Sequence, residues 1–600
     1  MELTIVLIER HPKLYLRLFL NFWNDVPKKE DDISSPFNLR TKIQSFPGRC
    51  YKFMFYFLLA LFWLVRETKS ILFWLYLWQL KEYHIGRFLD HFQTEKGKSL
   101  LVNKILFLKL ILIVGFFLSV FLLLWFWQIY PIAFFSSVFL ITFYFLESTK
   151  AISKFRQKKL KTPIFTKKIK FLFSISLIFE ISYLLLFRLL SQTIVSFSFW
   201  LLGFDIFTPL IVSIIVLFFQ PLAVLGRNKI IQKAKEKRAR FKNLLVIGIT
   251  GSYGKTSTKE FLAEILSKKF KVLKTKEHQN SEVGISQCIL NDLKSEHQVF
   301  IVEMGAYNRG GIKLLCKITK PKIGILTGIN EQHLATFGSQ DNIIKTKFEL
   351  IESLPESGIG IFNGDNKIIK NEKLKIKTYN LKLKNIKICS TKEKSDFWSE
   401  DIKMEKEHIS FKVFSKNGDS ADFKMNLLGI GNVENILLAA CCAKELGMNL
   451  KEIALACRNI KSEQGGMKLL KNKKGLNIID STYSANPNGV LSHLEYLKVW
   501  SPRRIIVMPC LIELGKASVE VHKKIGQKIG EVCDLSIITT KDRFNELKEE
   551  FIDAGGNEEN ILFIEEPKKI FEKITDFAKK EDVVLLEGRM PKEVIKLLKE

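Results

Sequence analysis

Apolar side chains run almost unbroken through two early stretches of the chain. Residues 105–146 carry one charged side chain, Lys109, and residues 171–226 carry three, Glu180, Arg188 and Asp205. A helix crossing a bilayer needs about 20 apolar residues, so each stretch predicts two crossings. The first pair is expected to turn near Tyr130-Pro131 and the second near Gly203 to Asp205. Residues 53–80 are also apolar but are interrupted by Arg66, Glu67 and Lys69; a hairpin, an interfacial helix pair and one long tilted helix all suit that pattern. Past Lys242 the pattern changes. Short apolar runs, NLLVIGIT (243–250), VFIVEMG (299–305) and KIGILTGI (322–329), alternate with amphipathic stretches such as TSTKEFLAEILSKK, which predicts a parallel sheet covered by helices. A β-rich insert is expected over 376–427, with hairpin alternation around Asn417-Gly418, followed by a helix from Asn432 to Leu446. A second α/β unit starts near 463, with strands at 476–482, 503–509, 535–540 and 582–588.

The expected organisation is therefore an N-terminal α-helical membrane region followed by two α/β domains. It divides into an N-terminal region (1–104), about four transmembrane helices (105–226), a basic linker (227–242), a central domain (243–462) and a C-terminal domain (463–600). Charge sharpens this picture. Lys and Arg number 92 against 62 Asp and Glu, a net +30, which suits nucleic acid or an anionic membrane surface. Aromatic placement decides for the membrane: 33 of the 49 Phe lie in the first 226 residues, in runs too apolar for a soluble fold. The basic stretches sit beside those runs, nine Lys and Arg against Glu147 in 147–170 and RNKIIQKAKEKRARFK from Arg227. By the positive-inside rule both are cytosolic, so the chain beyond 243 faces the cytosol of a bacterial-type cytoplasmic membrane, with the bilayer and not a nucleic acid as partner. The N-terminus carries Glu2 and Glu9 and lacks a small-residue cleavage site, so it is not read as a signal peptide. Nine cysteines without a CxxC pair point to a reducing compartment.

The chemistry concentrates at Gly251-Ser252-Tyr253-Gly254-Lys255-Thr256-Ser257, between the NLLVIGIT strand and a helix. In that context backbone N–H groups at a helix start cradle phosphate, the lysine reaches the outer phosphates and the threonine hydroxyl faces Mg2+. Five residues rather than four separate Gly248 from Gly254, so this is a variant of the common phosphate loop.

That variant resembles the loop of the Mur ligases, ATP-dependent enzymes that join amino acids to peptidoglycan precursors. The similarity continues through HQNSEVGIS (278–286, containing Asn280), VEMGAYNRGGI (302–312), TGINEQHLATFGS (327–339), NGD (363–365), GIGNVEN (429–435), IIDSTYSANP (478–487) and CLIELGKASVEVHKKIG (510–526). The last two are most like the members that add D-alanyl-D-alanine. The resemblance implies a P-loop ATP-binding domain with a parallel sheet and a smaller Rossmann-like C-terminal domain. It implies that ATP activates a carboxylate as an acyl phosphate, which an amino-acid or dipeptide amine then attacks. Lys255, Glu303, His333 and Lys347 would be catalytic. Thr256 and Glu303 would hold one Mg2+, and His333 with Lys347, carbamylated by CO2, a second. Asn432 would lie near the adenine and Asp480 near the ribose.

Departures from the family are equally specific. The domain that grips the UDP-sugar is missing, and the apolar region stands in its place. QGGM (464–467) lacks the arginine of the family's Gly-Arg pair, IIDSTY has Asp480-Ser481 where two acidic residues are expected, and LLEGRMPKEV (585–594) replaces the segment that helps hold the incoming dipeptide. The leading expectation is a ligase that adds D-alanyl-D-alanine or a related amine to a cell-envelope precursor. A polyglutamate-synthetase-like ligase and a non-catalytic nucleotide-binding membrane scaffold are the alternatives.

Overall fold

The computed structural model describes residues 40–600 except 93, 126–129, 158, 278, 377–381, 461–465, 474, 484, 502 and 600. Residues 1–39, and with them the reading of the N-terminus, lie outside it, as do His278, Gln464 and Gly465. Two compact units are formed. One comprises the described residues up to Thr68 with Phe116–Leu160 and Ser182–Leu202; the other comprises Lys69–Gly115, Lys161–Ile181 and Gly203–Glu600.

Residues 53–80 belong to one continuous helix, Arg40–Leu80. The charges in its middle do not break it, because Arg66 and Glu67 neutralise each other as an ion pair. Helices Lys104–Trp125, Tyr130–Arg156, Lys167–Leu190 and Ile194–Phe218 follow. The break expected at Gly203–Asp205 is absent. The chain turns instead between Leu190 and Ile194, and the last helix runs through Gly203 and Pro209. Helices in apolar surroundings admit glycine and proline more readily than soluble ones; beside them Ser213 donates to the Pro209 carbonyl at 2.7 Å and Thr208 to the Phe204 carbonyl at 2.9 Å. Two helical stretches among the described residues are long and apolar enough to cross a membrane: Lys167–Leu190, and Ile194–Ala239, which is Ile194–Phe218 taken together with the helix Gln220–Ala239 that follows it.

Polar groups in this region find internal partners. In the first unit Trp63 donates to the Leu201 carbonyl at 2.9 Å, Ser148 to Phe62 at 2.7 Å, and the Arg188 guanidinium lies 4.0 Å from the Tyr56 ring centroid. In the second, Lys109 and Asp205, the one charge of its helix, meet at 2.7 Å with both side chains buried. Pairing removes most of the cost that either charge alone would carry in apolar surroundings. Glu180 is also fully buried.

The α/β part of the second unit holds two sheets. The larger contains β1 (Leu245–Thr250), β2 (Val272–Lys274), β3 (Val299–Glu303), β4 (Ile323–Leu326), β5 (Ile359–Asn363), β6 (Asn385–Ser390), β7 (Phe397–Met404), β8 (Ile409–Ser415) and β9 (Ser420–Met425) in the order β2-β3-β1-β4-β5-β6-β7-β8-β9. Pairing is parallel from β2 to β7 and antiparallel across β7-β8-β9. The β-rich segment is thus no separate insert: β6 pairs with β5, and the hairpin strands extend the same sheet into a mixed one. Helices Lys255–Leu266 and Gly431–Glu445 bury Phe261, Leu262, Ile436 and Leu437 against β1, β3 and β4. The second sheet contains β10 (Lys468–Lys471), β11 (Asn477–Ser481), β12 (Arg504–Met508), β13 (Leu535–Ile538), β14 (Ile561–Phe563) and β15 (Val583–Glu587), ordered β10-β11-β15-β12-β13-β14, all parallel except β10. The eight cysteines from Cys288 to Cys533 are free and buried.

Candidate functional site

Because β1 lies between β3 and β4, their C-terminal ends converge, with Ile249 level with Glu303 and Thr250 with Leu326. In open parallel sheets that edge is where ligands bind. The phosphate loop leaves β1 there and enters helix Lys255–Leu266 through Gly254, whose φ of 76° is left-handed. A Cβ at Gly254 would come within 2.4 Å of Asn435 Oδ1. Gly254→Ala therefore meets both a left-handed penalty of roughly 1–2 kcal/mol and a clash. Nucleotide affinity is expected to fall about tenfold, the equivalent of about 1.4 kcal/mol; titration with ADP and the thermal midpoint of the full chain check it.

Lys255 Nζ donates to the carbonyls of Gly251 at 2.8 Å and Ser252 at 3.2 Å, so its ammonium lies over the loop. Burial pushes its pKa down, against the pull of Glu303. Glu303, at the end of β3, accepts from Thr256 Oγ1 at 3.0 Å and Asn280 Nδ2 at 3.1 Å, and Lys259 Nζ stands 3.3 Å away. Burial alone would raise its pKa, but Lys255, Lys259 and the two hydrogen bonds outweigh that and hold it below the usual carboxylate value. Lys259, fully buried, was missed in the sequence. Its position four residues after Lys255 puts both on one helix face, which is the signal that would have found it.

Across the site His333 sits in a left-handed conformation (φ 63°), its Nδ1 2.6 Å from Glu513 Oε2 and its ring edge-on to Tyr307, with centroids 5.0 Å apart. Burial lowers the His333 pKa even though Glu513 pulls it up, and the charges of Lys347 and Lys255 lower it further. Burial opposes ionisation of Glu513, yet His333, Arg87 and Lys81 bring its pKa down to about 2. Lys347, on helix Gln340–Glu352, is 4% exposed; burial, then Lys255, push its pKa down to about 7. The structure therefore brings Lys255, Thr256, Asn280 and Glu303 together and sets His333 and Lys347 within electrostatic reach of Lys255. Tyr307 and Glu513 lie within the family-like segments 302–312 and 510–526, which imply no role for them, and Arg87 carries no sequence signal at all.

Asn432 begins helix Gly431–Glu445 and donates back to the Leu428 carbonyl at 2.8 Å. Asp480 accepts from Thr482 Oγ1 at 2.7 Å and Lys599 Nζ at 2.9 Å, and lines a cavity of about 370 Å³ with Gly466, Lys468, Thr482, Tyr483 and Arg589. Its neighbour Ser481 is buried against His493, 3.3 Å away, so Asp480 and not Ser481 holds the cavity-facing position. Arg589 brings a guanidinium into the cavity that Gly466 lines.

The donor chemistry suits Mg2+. Thr256 and Glu303 offer a neutral and an anionic oxygen 3.0 Å apart, and Mg2+ takes few protein ligands, filling its octahedron with water and phosphate. No group of three or more His, Cys, Asp or Glu suited to a metal occurs among the described residues. Lys347, with its pKa near 7, is a fair amine for CO2.

Residues 249–443 match the Mur ligase middle domain and residues 466–590 the Mur ligase, glutamate ligase domain. The UDP-N-acetylmuramoyl-tripeptide–D-alanyl-D-alanine ligase of Buchnera aphidicola subsp. Baizongia pistaciae is 32% identical over 287 residues, 48% of this chain and 61% of that ligase. The ligase of the same name from Bacillus subtilis is 26% identical over 357 residues, 58% of this chain and 75% of its own length. Among solved structures, MurF ligase from Thermotoga maritima in complex with ADP superposes with a TM-score of 0.54 at 26% identity, covering 62% of this chain and 83% of that one. The chain thus spans under two thirds of the Buchnera ligase it matches.

Proposed function

From a chain that carries the middle and C-terminal domains of the Mur ligases, we propose a membrane-anchored, ATP-dependent ligase that joins the carboxylate of a peptidoglycan precursor to D-alanyl-D-alanine or a related amine. The observation that carries this reading is the grouping of Lys255, Thr256 and Glu303 at the converging ends of β1 and β3. ATP, when bound, would supply the phosphoryl group that converts the carboxylate to an acyl phosphate, from which the amine displaces phosphate to leave an amide.

The loop amides and Lys255 would neutralise the phosphates, and Thr256 and Glu303 would hold Mg2+ through oxygens that Asn280 and Lys259 contact. Phosphoryl transfer depends mainly on such positioning and charge neutralisation. Lys347 as a carbamate, with His333, gives a second oxygen and nitrogen pair for a cation near the acceptor carboxylate. Asn432 and Asp480 are assigned to the nucleoside, and Gly251 and Ser252 in the loop, with Ser257 in the first turn of the helix, to the phosphates. Arg589 brings a guanidinium into the cavity that Gly466 and Asp480 line, where the family's arginine is missing, which weakens the case for a degenerate scaffold.

Anchoring is supported by where apolar surface is exposed. Exposed large apolar side chains crowd the chain from Met54 to Leu225, whereas beyond it Leu455, Ile512, Val519 and Ile552 are those found among the described residues. A soluble surface does not carry apolar area on that scale. The test is phosphate release by the full chain in detergent with ATP, Mg2+ and fractionated envelope precursors, with the amine varied among D-alanyl-D-alanine, single amino acids and glutamate. Release that needs both a precursor and D-alanyl-D-alanine supports the reading. Release with glutamate alone favours the polyglutamate-type alternative, and nucleotide binding without turnover favours the scaffold.

A further inference from the structure

The long Arg40–Leu80 helix does not simply end; it turns back into the ligase domains. Lys81 to His84 make the turn, with Glu82 (φ 55°) and Tyr83 (φ 59°) both left-handed. His84 then caps helix Ile85–His91 by accepting from the Arg87 amide. Phe88 is buried and stacked on Trp78, with ring centroids 3.9 Å apart and planes 9° apart. The turn and the stack fix the direction in which helix Ile85–His91 presents Arg87.

Arg87 is nearly buried and reaches two different parts of the site. Its guanidinium lies 4.5 Å from the Tyr307 ring centroid, in the loop after β3. One of its nitrogens stands 3.5 Å from Glu513 Oε1, in the loop after β12, and another 3.3 Å from Glu82. The other Glu513 oxygen is the one bonded to His333. The Glu513 carbonyl also accepts from the Ala335 amide at 3.3 Å. Three segments remote in sequence therefore meet in a single relay, Arg87 to Glu513 to His333. Glu513 (φ 64°) and His333 (φ 63°) are both left-handed. Residues in such conformations persist only where their surroundings over-determine them, and a buried carboxylate between a histidine and an arginine is held far more firmly than one beside the histidine alone.

We propose that Arg87 is a positioning residue of the ligase site: it fixes the Glu513 carboxylate, through it the His333 ring and the approach of the Glu513 loop to Ala335, and so makes the hairpin after the first long helix a working part of the catalytic unit. The proposal rests on the ligase reading above for its kinetic consequence, but not for its structural one. Both charge and planarity matter, since Arg87 pairs with a carboxylate and stacks on a ring.

Two readouts on the full chain in detergent test it. In phosphate release, Arg87→Ala lowers kcat roughly 10- to 100-fold, the scale of a misplaced catalytic group, with the KM for ATP changed less than twofold because Arg87 does not touch the phosphate loop. Arg87→Lys, which keeps the charge without the plane, recovers part of the loss. In hydrogen exchange, Arg87→Ala speeds exchange at 333–337 and 513–517 while leaving 251–257 unchanged, and this arm needs no turnover. If kcat holds, if kcat and ATP affinity fall together, or if exchange at 333–337 and 513–517 is unaltered, the proposal is overturned. If the unsubstituted chain shows no ligase turnover, the ligase reading fails, and exchange alone then decides whether Arg87 holds Glu513 and His333.

Discussion

Replacing Lys255 with alanine lowers ATP-dependent phosphate release by roughly a thousandfold or more, the scale seen when a transition-state charge loses its neutralising partner in a water-poor site. The loss has two components. Lys255 Nζ already lies over the loop carbonyls of Gly251 and Ser252, where outer phosphates would sit, so its removal deprives the transferring group of its cation. Lys255 is also the first of the charges that hold Glu303 below its usual pKa. Without it the Glu303 pKa rises and metal affinity weakens, most of all at low pH. Activity in Lys255→Ala is therefore expected to need more Mg2+ as well as to be slow. Lys255→Arg does not restore turnover, because the planar guanidinium cannot replace a compact ammonium in a loop this tight. Phosphate release titrated with Mg2+ at fixed ATP checks both components.

Lys347→Ala gives the second large effect, a loss of about a hundredfold or more, and its origin shows in pH and CO2 dependence. Burial and Lys255 hold the Lys347 pKa at about 7, so much of the amine is neutral at neutral pH. Only the neutral amine adds CO2. Turnover by protein depleted of CO2 is expected to recover with bicarbonate above pH 7 and to fail to recover near pH 6, where the ammonium dominates. A short carboxylic acid added to Lys347→Ala should partly rescue it by returning an oxygen ligand. The same shift has a stability consequence of definite sign. Between about pH 7 and the unfolded pKa near 10.4 the unfolded chain binds the additional proton, so stability rises with pH across that window. Well below pH 7 the full penalty of a buried ammonium is present, of order 5 kcal/mol. Lys347→Met, which fills the same space without charge, is therefore expected to melt higher than the unsubstituted protein at pH 6 while losing turnover. A melting midpoint that falls at pH 6 would contradict this assignment.

Local features were legible in the sequence because their physics is local. The loop from Gly251 to Ser257 lies between strand and helix as the pattern required, and Thr256, Asn280 and Glu303 converge because β1 and β3 are neighbours in a parallel sheet. The turn expected at Gly203 failed for a physical reason: in apolar helices glycine and proline do not end a helix as they do in water, and three polar residues after Leu190 made the turn instead. β10 and β14, four and three residues long, are too short to carry a period. His333 was legible as a residue but not its partner, since Glu513 is 180 positions away. Arg87 had no signal because the segment containing it resembles nothing in the ligase motifs, and only the fold brings it to Tyr307 and Glu513.

The central claim is that this chain makes an acyl phosphate, and the most direct test follows oxygen. The full chain in detergent is supplied with ATP, Mg2+, D-alanyl-D-alanine and a muramyl-peptide precursor whose acceptor carboxylate is enriched in 18O. If the carboxylate attacks the γ-phosphate and the amine then displaces phosphate, one 18O leaves in each inorganic phosphate, and mass spectrometry of that phosphate reads it directly. Transfer of the label, lost in Lys255→Ala, is the predicted result. Phosphate released without label, its fourth oxygen drawn from water, would mean that ATP is hydrolysed and no carboxylate activated, and would contradict the account.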